Sequence, residues 1–203
     1  MMKLYYKPGA CSLASHIVLH ELGLPHGVEK VDTAAKRTES GQDYTSINAK
    51  GVVPALELDG GEILTEGPAI LQYLADSAGN EALAPKPGTI ERARVQEVLN
   101  FTGTSLHAAF KPLFKPDSDE TVKASARENV ASNMEWLEGL LSDGRPFLTG
   151  SNFTVADAYA FVVASWAPRV GVALERWPNI QLFVQRVAER PAAAKAMKTE
   201  GLI

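Results

Sequence analysis

Cys11 is the single cysteine of a 203-residue chain, so it has no internal disulfide partner and cannot belong to a multi-cysteine zinc site. Its neighbours give it a sharper meaning. Met2 to Tyr6 is a short apolar, aromatic-rich strand pattern, Pro8-Gly9 is a turn, and Leu13, Ile17, Leu19 and Leu22 begin a helical pattern near Ser12. Cys11 therefore stands between strand and helix, where unpaired backbone N–H groups and the positive end of the helix dipole favour an anion. A thiol more acidic than the free side chain, and a thiolate near neutral pH, are expected at that position. The competing use of a lone cysteine is as a small buried hydrophobe. Cys11-Ser12-Leu13-Ala14 lacks the second cysteine of a C-x-x-C pair, so redox cycling needs an external thiol.

Further along, Glu66-Gly67 precedes Pro68 at a predicted helix start. Free N–H groups there can hold a carboxylate, while Glu66 offers an acceptor to an ammonium group. The alternative is an acid placed to complement the helix dipole. Asn100, Thr104, His107 and Lys111 follow at offsets of 4, 3 and 4, which puts them on one helical face opposite Val95, Leu99 and Leu106. Such a face is fit to wall a ligand cleft, or it is the wet side of an amphipathic helix. His16 and His20 are also four apart, beside Glu21, but they lack the H-E-x-x-H order and a nearby third ligand. A surface helix, and no metal, is expected there. Thr154 to Asp157 has the spacing of a capping box, with Asp where Glu or Gln is usual.

The elements that must position these groups fall into two kinds. Gly27 to Asp32 and Ala55 to Leu58 read as strands, Asp59-Gly60-Gly61 as a hairpin turn before Glu62-Ile63-Leu64, and Pro68 opens a helix that ends near Ala78. This predicts a small α/β unit with a mixed sheet. Leu83 to Gly88 reads as a linker, and from Thr89 onward the periodicity is almost wholly helical, with Val95, Leu99, Thr102, Leu106 and Phe110 on one buried face. The composition fits this picture, since 45% apolar and 22% charged residues are ordinary for a globular chain. A net charge of −4 with no basic run argues against nucleic acid or a polybasic membrane anchor. The N-terminus reaches Lys7-Pro8-Gly9 too early for a signal peptide and no apolar run is long enough to span a bilayer, which predicts a cytoplasmic location.

The Cys11 turn, Gly51-Val52-Val53-Pro54-Ala55-Leu56 and Leu64-Thr65-Glu66-Gly67-Pro68-Ala69-Ile70 together resemble the glutathione transferases. Pro8-Gly9-Ala10-Cys11-Ser12-Leu13, Phe153 to Tyr159, and Thr199-Glu200-Gly201-Leu202-Ile203 are similar in particular to the bacterial beta class. The resemblance implies a thioredoxin-like glutathione-binding domain over residues 1–80, an all-helical domain over 88–203 that forms the electrophile site, and a homodimer. It also implies a cis peptide at Val53-Pro54, where a strand-leading proline is the plain reading of the sequence. Val53 would then pair with the cysteinyl backbone of glutathione as a short added strand, and Glu66 and Gly67 would take the γ-glutamyl end. Lys36 and the segment Asn100, Thr104, Ser105, Leu106 and His107 match other glutathione-contacting positions of the class, while Cys11 and His107 match the residues at the sulfur.

The implied activity is transfer of reduced glutathione to a hydrophobic electrophile, with Cys11 able to form a mixed disulfide with glutathione. Thiol–disulfide exchange or reductive dehalogenation through Cys11 is the related alternative, and a non-enzymatic binding protein of the same fold is the competing class. Two positions depart from the pattern. Gly67 stands where many relatives have Ser, and Ala108 follows His107 where relatives carry Lys. Tyr6 and Ser12, the hydroxyl candidates for activating a thiol, read more simply as strand packing and a helix cap.

Overall fold

In the computed structural model, which describes residues 1–203, strand β1 (Met2–Tyr6) is followed by helix α1 (Ser12–Glu21) and strand β2 (His26–Asp32). β1 and β2 lie parallel, with Met2 opposite His26 and Tyr6 opposite Lys30. A parallel pair needs a crossover, and α1 supplies it. The chain then forms β3 (Arg37–Thr38), a single 3-10 turn at Tyr44–Ser46, the hairpin of β4 (Ala55–Glu57) and β5 (Ile63–Thr65), and helix α2 (Gly67–Ser77). The five strands are ordered β3-β2-β1-β4-β5, a mixed sheet in which β4 and β5 run antiparallel.

Alternation along β1 divides its side chains between the two faces of the sheet. Tyr5 packs with Val31, Tyr44 and Ala55 on one face. Leu4, on the other, is fully buried, as are Ile17 and Leu19 of α1 and Ile70, Leu71 and Leu74 of α2. Burying a side chain of this size contributes about 1.5–3 kcal/mol, so these contacts hold the Cys11 turn firmly over the end of β1.

Residues 1–81 and 189–203 form one compact unit and residues 82–188 the other. The division is not a single cut after the linker, because helix α8 (Pro191–Thr199) buries Ala192, Ala193 and Ala196 and packs against α1.

The second unit contains α3 (Ile90–Phe101), α4 (His107–Phe110), α5 (Glu120–Leu141), α6 (Val155–Ala164) and α7 (Pro178–Ala188). Every residue of α6 is buried, which makes it the central helix of the unit. Asp157 accepts hydrogen bonds from the Thr154 backbone N–H at 2.8 Å, the Thr154 hydroxyl at 2.7 Å and the Leu148 N–H at 2.8 Å. The predicted capping box is therefore present, with the acid also tying down the preceding loop. Val95, Leu99, Thr102, Leu106 and Phe110 are all buried, as their spacing predicts. No helix is long and apolar enough to cross a membrane.

Candidate active site

The Cys11 turn is fixed from several sides. Ser12 is fully buried, and its hydroxyl accepts from the Lys7 N–H and donates to the Lys7 carbonyl, so it closes the turn rather than capping α1. The Gly9 N–H donates to Glu200 Oε2 at 2.9 Å, which explains why a C-terminal motif accompanies an N-terminal cysteine. Cys11 itself occupies the N-cap position of α1 and is half-buried.

Its acidity runs opposite to the sequence expectation. Burial pushes the thiol up to about 11, outweighing the N–H groups of Cys11 and Ser12 that favour the anion, and the Glu66 carboxylate adds to the rise. The Sγ–H donates to the Val53 carbonyl at 3.3 Å. A helix terminus lowers a thiol only where the anion stays solvated or paired, and here desolvation wins.

Val53-Pro54 is cis. The loop before it is buttressed by two residues that motif reading passed over, since the Tyr44 hydroxyl donates to the Val52 carbonyl at 2.9 Å and the Asn48 amide does so at 2.7 Å. Lys36 is half-buried, and its Nζ donates to the Gly51 carbonyl at 2.8 Å, which sets its stem against the same loop. Lys36 and Glu66 are the two non-glycine residues with positive φ, at 56° and 70°. Such conformations cost about 1–3 kcal/mol each and gather at ligand sites. Glu66 caps the first turn of α2, where its carbonyl accepts from the Ala69 and Ile70 N–H groups. Its exposed carboxylate pairs with Lys50, a cation that sequence reasoning missed. Lys50 also donates to the Thr65 hydroxyl at 2.8 Å.

The helical segment of the second unit departs from its expected geometry. Residues Thr102–Leu106 form a π turn between α3 and α4, and Lys111–Phe114 a 3-10 turn. The wider turn rotates the side chains that follow it, and His107 is half-buried while Asn100, Thr104 and Lys111 are exposed. Asn100 and Thr104 are exposed, the Thr104 hydroxyl donates to the Asn100 carbonyl at 2.8 Å, and Thr104 and Ser105 line an open groove with Ala108, Pro112 and Asn129. The Leu106 side chain is fully buried. His107 turns inward, with Nδ1 2.7 Å from the Tyr159 hydroxyl and its ring edge-on to Trp166 at 4.9 Å. Burial holds His107 below the ordinary histidine value, so at neutral pH it is an uncharged imidazole. Tyr159 was legible only as part of a motif and not as a partner of His107.

Two expectations about other residues are corrected. His16 is buried rather than on a surface, with Nδ1 3.0 Å from Glu200 Oε1. A third histidine, His26 of β2, packs edge-on against His16 and His20. Arg92 is buried and donates to the Pro85 carbonyl at 2.9 Å, while Arg190 holds Glu21 through two hydrogen bonds of 2.6 and 2.9 Å.

Comparison with known proteins agrees with this fold. The glutathione S-transferase N-terminal domain family matches residues 9–77, and the glutathione S-transferase C-terminal domain family matches residues 101–191. The chain belongs to the glutathione S-transferases. It is 47% identical, over 99% of its length and 100% of the relative, to glutathione S-transferase GstA of Escherichia coli O157:H7. Among solved structures it is similar to a bacterial beta class enzyme of Sphingomonas chungbukensis, with a TM-score of 0.95 and 45% identity over 99% of this chain and 100% of that one. A sphingomonad glutathione S-transferase solved in complex with glutathione matches with a TM-score of 0.94 and 43% identity over the same shares. Within the family, the chain is a bacterial beta-class glutathione S-transferase.

Proposed function

We propose that this transferase joins the sulfur of reduced glutathione to hydrophobic electrophiles, with the tripeptide held by the Cys11 turn, the Val53-Pro54 loop and the start of α2. The observation that carries the reading is the 3.3 Å contact between Cys11 Sγ and the Val53 carbonyl. That carbonyl is the acceptor a peptide ligand needs if its cysteinyl N–H is to pair as an added strand. Pairing there takes the acceptor away from the Cys11 S–H and brings the ligand's cysteine to the residue whose thiol it has displaced. The Gly67 N–H, at the head of α2, receives the γ-glutamyl carboxylate, Glu66 accepts from the ammonium group, and Lys36 supplies a positive charge to the glycyl end. Asn100, Thr104, Ser105, Leu106 and His107 complete the set that the resemblance assigns. In that set Leu106 acts through its backbone, because its side chain is buried.

Cys11 also forms a mixed disulfide with glutathione in this reading. The Cys11 thiol gives up its proton as its sulfur attacks one sulfur of oxidised glutathione, a Cys11–glutathione S–S bond forms, and one reduced glutathione leaves with the electron pair of the broken S–S bond and that proton. A second glutathione thiolate restores Cys11 and regenerates the oxidised dimer. The enzyme works as a cytoplasmic homodimer, and light scattering of the purified protein checks the dimer.

The test pairs two measurements on wild type and Cys11→Ala. Intact mass spectrometry after incubation with oxidised glutathione should show one glutathionyl adduct on wild type and none on the variant. Calorimetry should show that Cys11→Ala keeps most of its affinity for reduced glutathione, since Val53, Glu66 and Gly67 hold the backbone. An adduct-free wild type removes the mixed disulfide, and abolished binding in Cys11→Ala removes the division of labour. A panel of aryl halides, disulfides and halogenated substrates then separates conjugation from thiol exchange and dehalogenation.

A further inference from the structure

His16, His20 and His26 form a cluster that the proposed glutathione chemistry does not use. The first two lie one helical turn apart on α1, and the third begins β2, the neighbour of β1 in the sheet. Ring centroids are 4.9 Å apart for His16 and His20, 4.8 Å for His20 and His26, and 5.6 Å for His16 and His26. One ligating nitrogen from each ring lies within 4.8 Å of the other two.

The hydrogen bonds decide which nitrogens are available. Nδ1 of His16 faces Glu200 Oε1 at 3.0 Å, and Nδ1 of His26 faces the Leu24 carbonyl at 2.7 Å. The Leu24 carbonyl accepts only, so Nδ1 of His26 donates to it, and with Nδ1 of His16 turned to Glu200 the Nε2 atom is the one left to face an ion in both rings. Nε2 of His20 is buried with no hydrogen-bond partner. In metal centres the ring nitrogen that does not touch the ion characteristically donates to a carboxylate or backbone carbonyl. His16–Glu200 and His26–Leu24 are arranged in that way before any ion arrives.

From these contacts we propose that His16, His20 and His26 bind a divalent transition-metal ion, zinc above all, through their Nε2 atoms, with water in the fourth position. Imidazole suits zinc, and three histidines with one open position make a known zinc ligand set. Zinc–nitrogen bonds of about 2.0–2.1 Å place tetrahedral ligand atoms roughly 3.4 Å apart, so ring nitrogens that now lie within 4.8 Å of one another must draw closer around an ion. His20 and His26 are half-buried, so the cluster reaches the surface although Nε2 of His20 is itself covered.

The charges around the cluster are mixed. Lys195 of α8 faces His20 and His26 and opposes a cation, while Glu200 behind His16 favours one. Glu21, beside His20 in sequence, is engaged by Arg190 and so is not a fourth ligand. A bound ion would tie α1 to β2 and, through Glu200, to the Gly9 end of the Cys11 turn.

The test uses the full chain without an affinity tag, because a polyhistidine tag binds zinc itself. Zinc affinity is read by competition with a chromophoric chelator, and the ligand set by the absorption of the cobalt-substituted protein. One zinc per chain is expected, with tetrahedral cobalt bands and no thiolate charge-transfer band. His20→Gln and His26→Gln should each weaken zinc binding by at least about tenfold to a hundredfold, the range seen even for outer partners of a metal ligand, and Cys11→Ser should leave it unchanged. Failure of wild type to take up zinc overturns the proposal, and so does binding that survives both histidine substitutions. The cobalt spectrum of wild type needs no variant to fold, and an octahedral or thiolate-type spectrum overturns it equally.

Discussion

Glu200 Oε1 stands 3.0 Å from Nδ1 of His16, 184 residues away in sequence, while the other oxygen of the same carboxylate accepts from the Gly9 N–H. The carboxylate is fully buried, so each of its partners would otherwise be a desolvated donor. Glu200→Ala takes this acceptor from both donors, at about 1–3 kcal/mol each. The expected loss is roughly 3 kcal/mol, a fall of about 6–12 °C in melting temperature for a chain of this length. Scanning calorimetry checks it, and a variant that melts within a degree of wild type would show the bridge to be dispensable. Glu200→Gln should recover part of the loss, because the amide oxygen still accepts from one donor.

Cys11 should behave as a protonated thiol in the ligand-free enzyme. Burial raises its folded value to about 11 from an ordinary value near 9, so the folded chain holds the proton more tightly than the unfolded one. The stability this contributes is present below the ordinary thiol value and is lost as pH rises through the window from about 9 to about 11. Iodoacetamide alkylation should therefore stay slow from neutral pH to pH 9 and climb toward the folded midpoint. A midpoint below that of a free thiol would restore the helix-dipole expectation. Alkylation in the presence of S-methyl glutathione, which fills the peptide site without a reactive thiol, should shift the midpoint if the ligand takes the Val53 carbonyl.

His107 should titrate below a free histidine, as burial disfavours its charged form. The unfolded chain then takes up the proton first, so this residue lowers stability as pH falls through the ordinary histidine range. Proton NMR of the imidazole C2–H in wild type and His107→Asn assigns the titration. A midpoint above the free value would mean that an unseen anion stabilises the charged ring. Tyr159→Phe removes the 2.7 Å partner of Nδ1, at a cost of about 1 kcal/mol. It should slow conjugation if the orientation of His107 matters to the chemistry, and leave it unchanged if His107 is only packed.

Much of this arrangement could be read from local sequence. Met2 to Tyr6, the turn at Pro8-Gly9 and the α1 pattern placed Cys11 correctly, because apolar alternation and helical spacing report burial directly. The charge state of Cys11 was not legible, since it depends on how deeply the fold buries the thiol and on a carbonyl 42 residues away. The π turn at Thr102–Leu106 was equally hidden. Leu99, Leu106 and Phe110 keep an apolar spacing through it, so periodicity reads the segment as one straight helix. His26 escaped notice as a neighbour of His16 because only the parallel register of β1 and β2 brings it beside α1. Glu200 was legible as part of a motif, but its two partners become visible only when α8 returns to the first unit.

Asp157 offers a prediction in which stability and chemistry separate. Its carboxylate accepts from the Leu148 N–H and from both donors of Thr154, all buried. Asp157→Ala removes the cap of α6 and strands those donors, so a loss of about 3 kcal/mol is expected. Glutathione affinity, measured by calorimetry well below the melting temperature, should stay within about twofold, because no proposed ligand contact is touched. A large fall in affinity would show that α6 transmits strain to the binding residues.

Glu66 reverses that pattern. Its φ of 70° is a conformation that side chains with a Cβ adopt at a cost, and glycine adopts freely. Glu66→Gly removes strain of about 1–3 kcal/mol but adds unfolded-state entropy of about 0.4–1 kcal/mol. With the ion pair to Lys50 also lost, the variant should fall between about 1 kcal/mol less stable and about 2.5 kcal/mol more stable than wild type. That pair lies on the surface, where such contacts contribute at most about 1 kcal/mol. Glutathione binding should weaken by about tenfold or more, the effect of losing one hydrogen bond to a charged group. Denaturant melts and calorimetry on the same preparation give both numbers. A variant that loses stability yet keeps full affinity would show that the backbone of Glu66 is held for the sake of the fold, and that the ammonium end of the ligand is bound elsewhere.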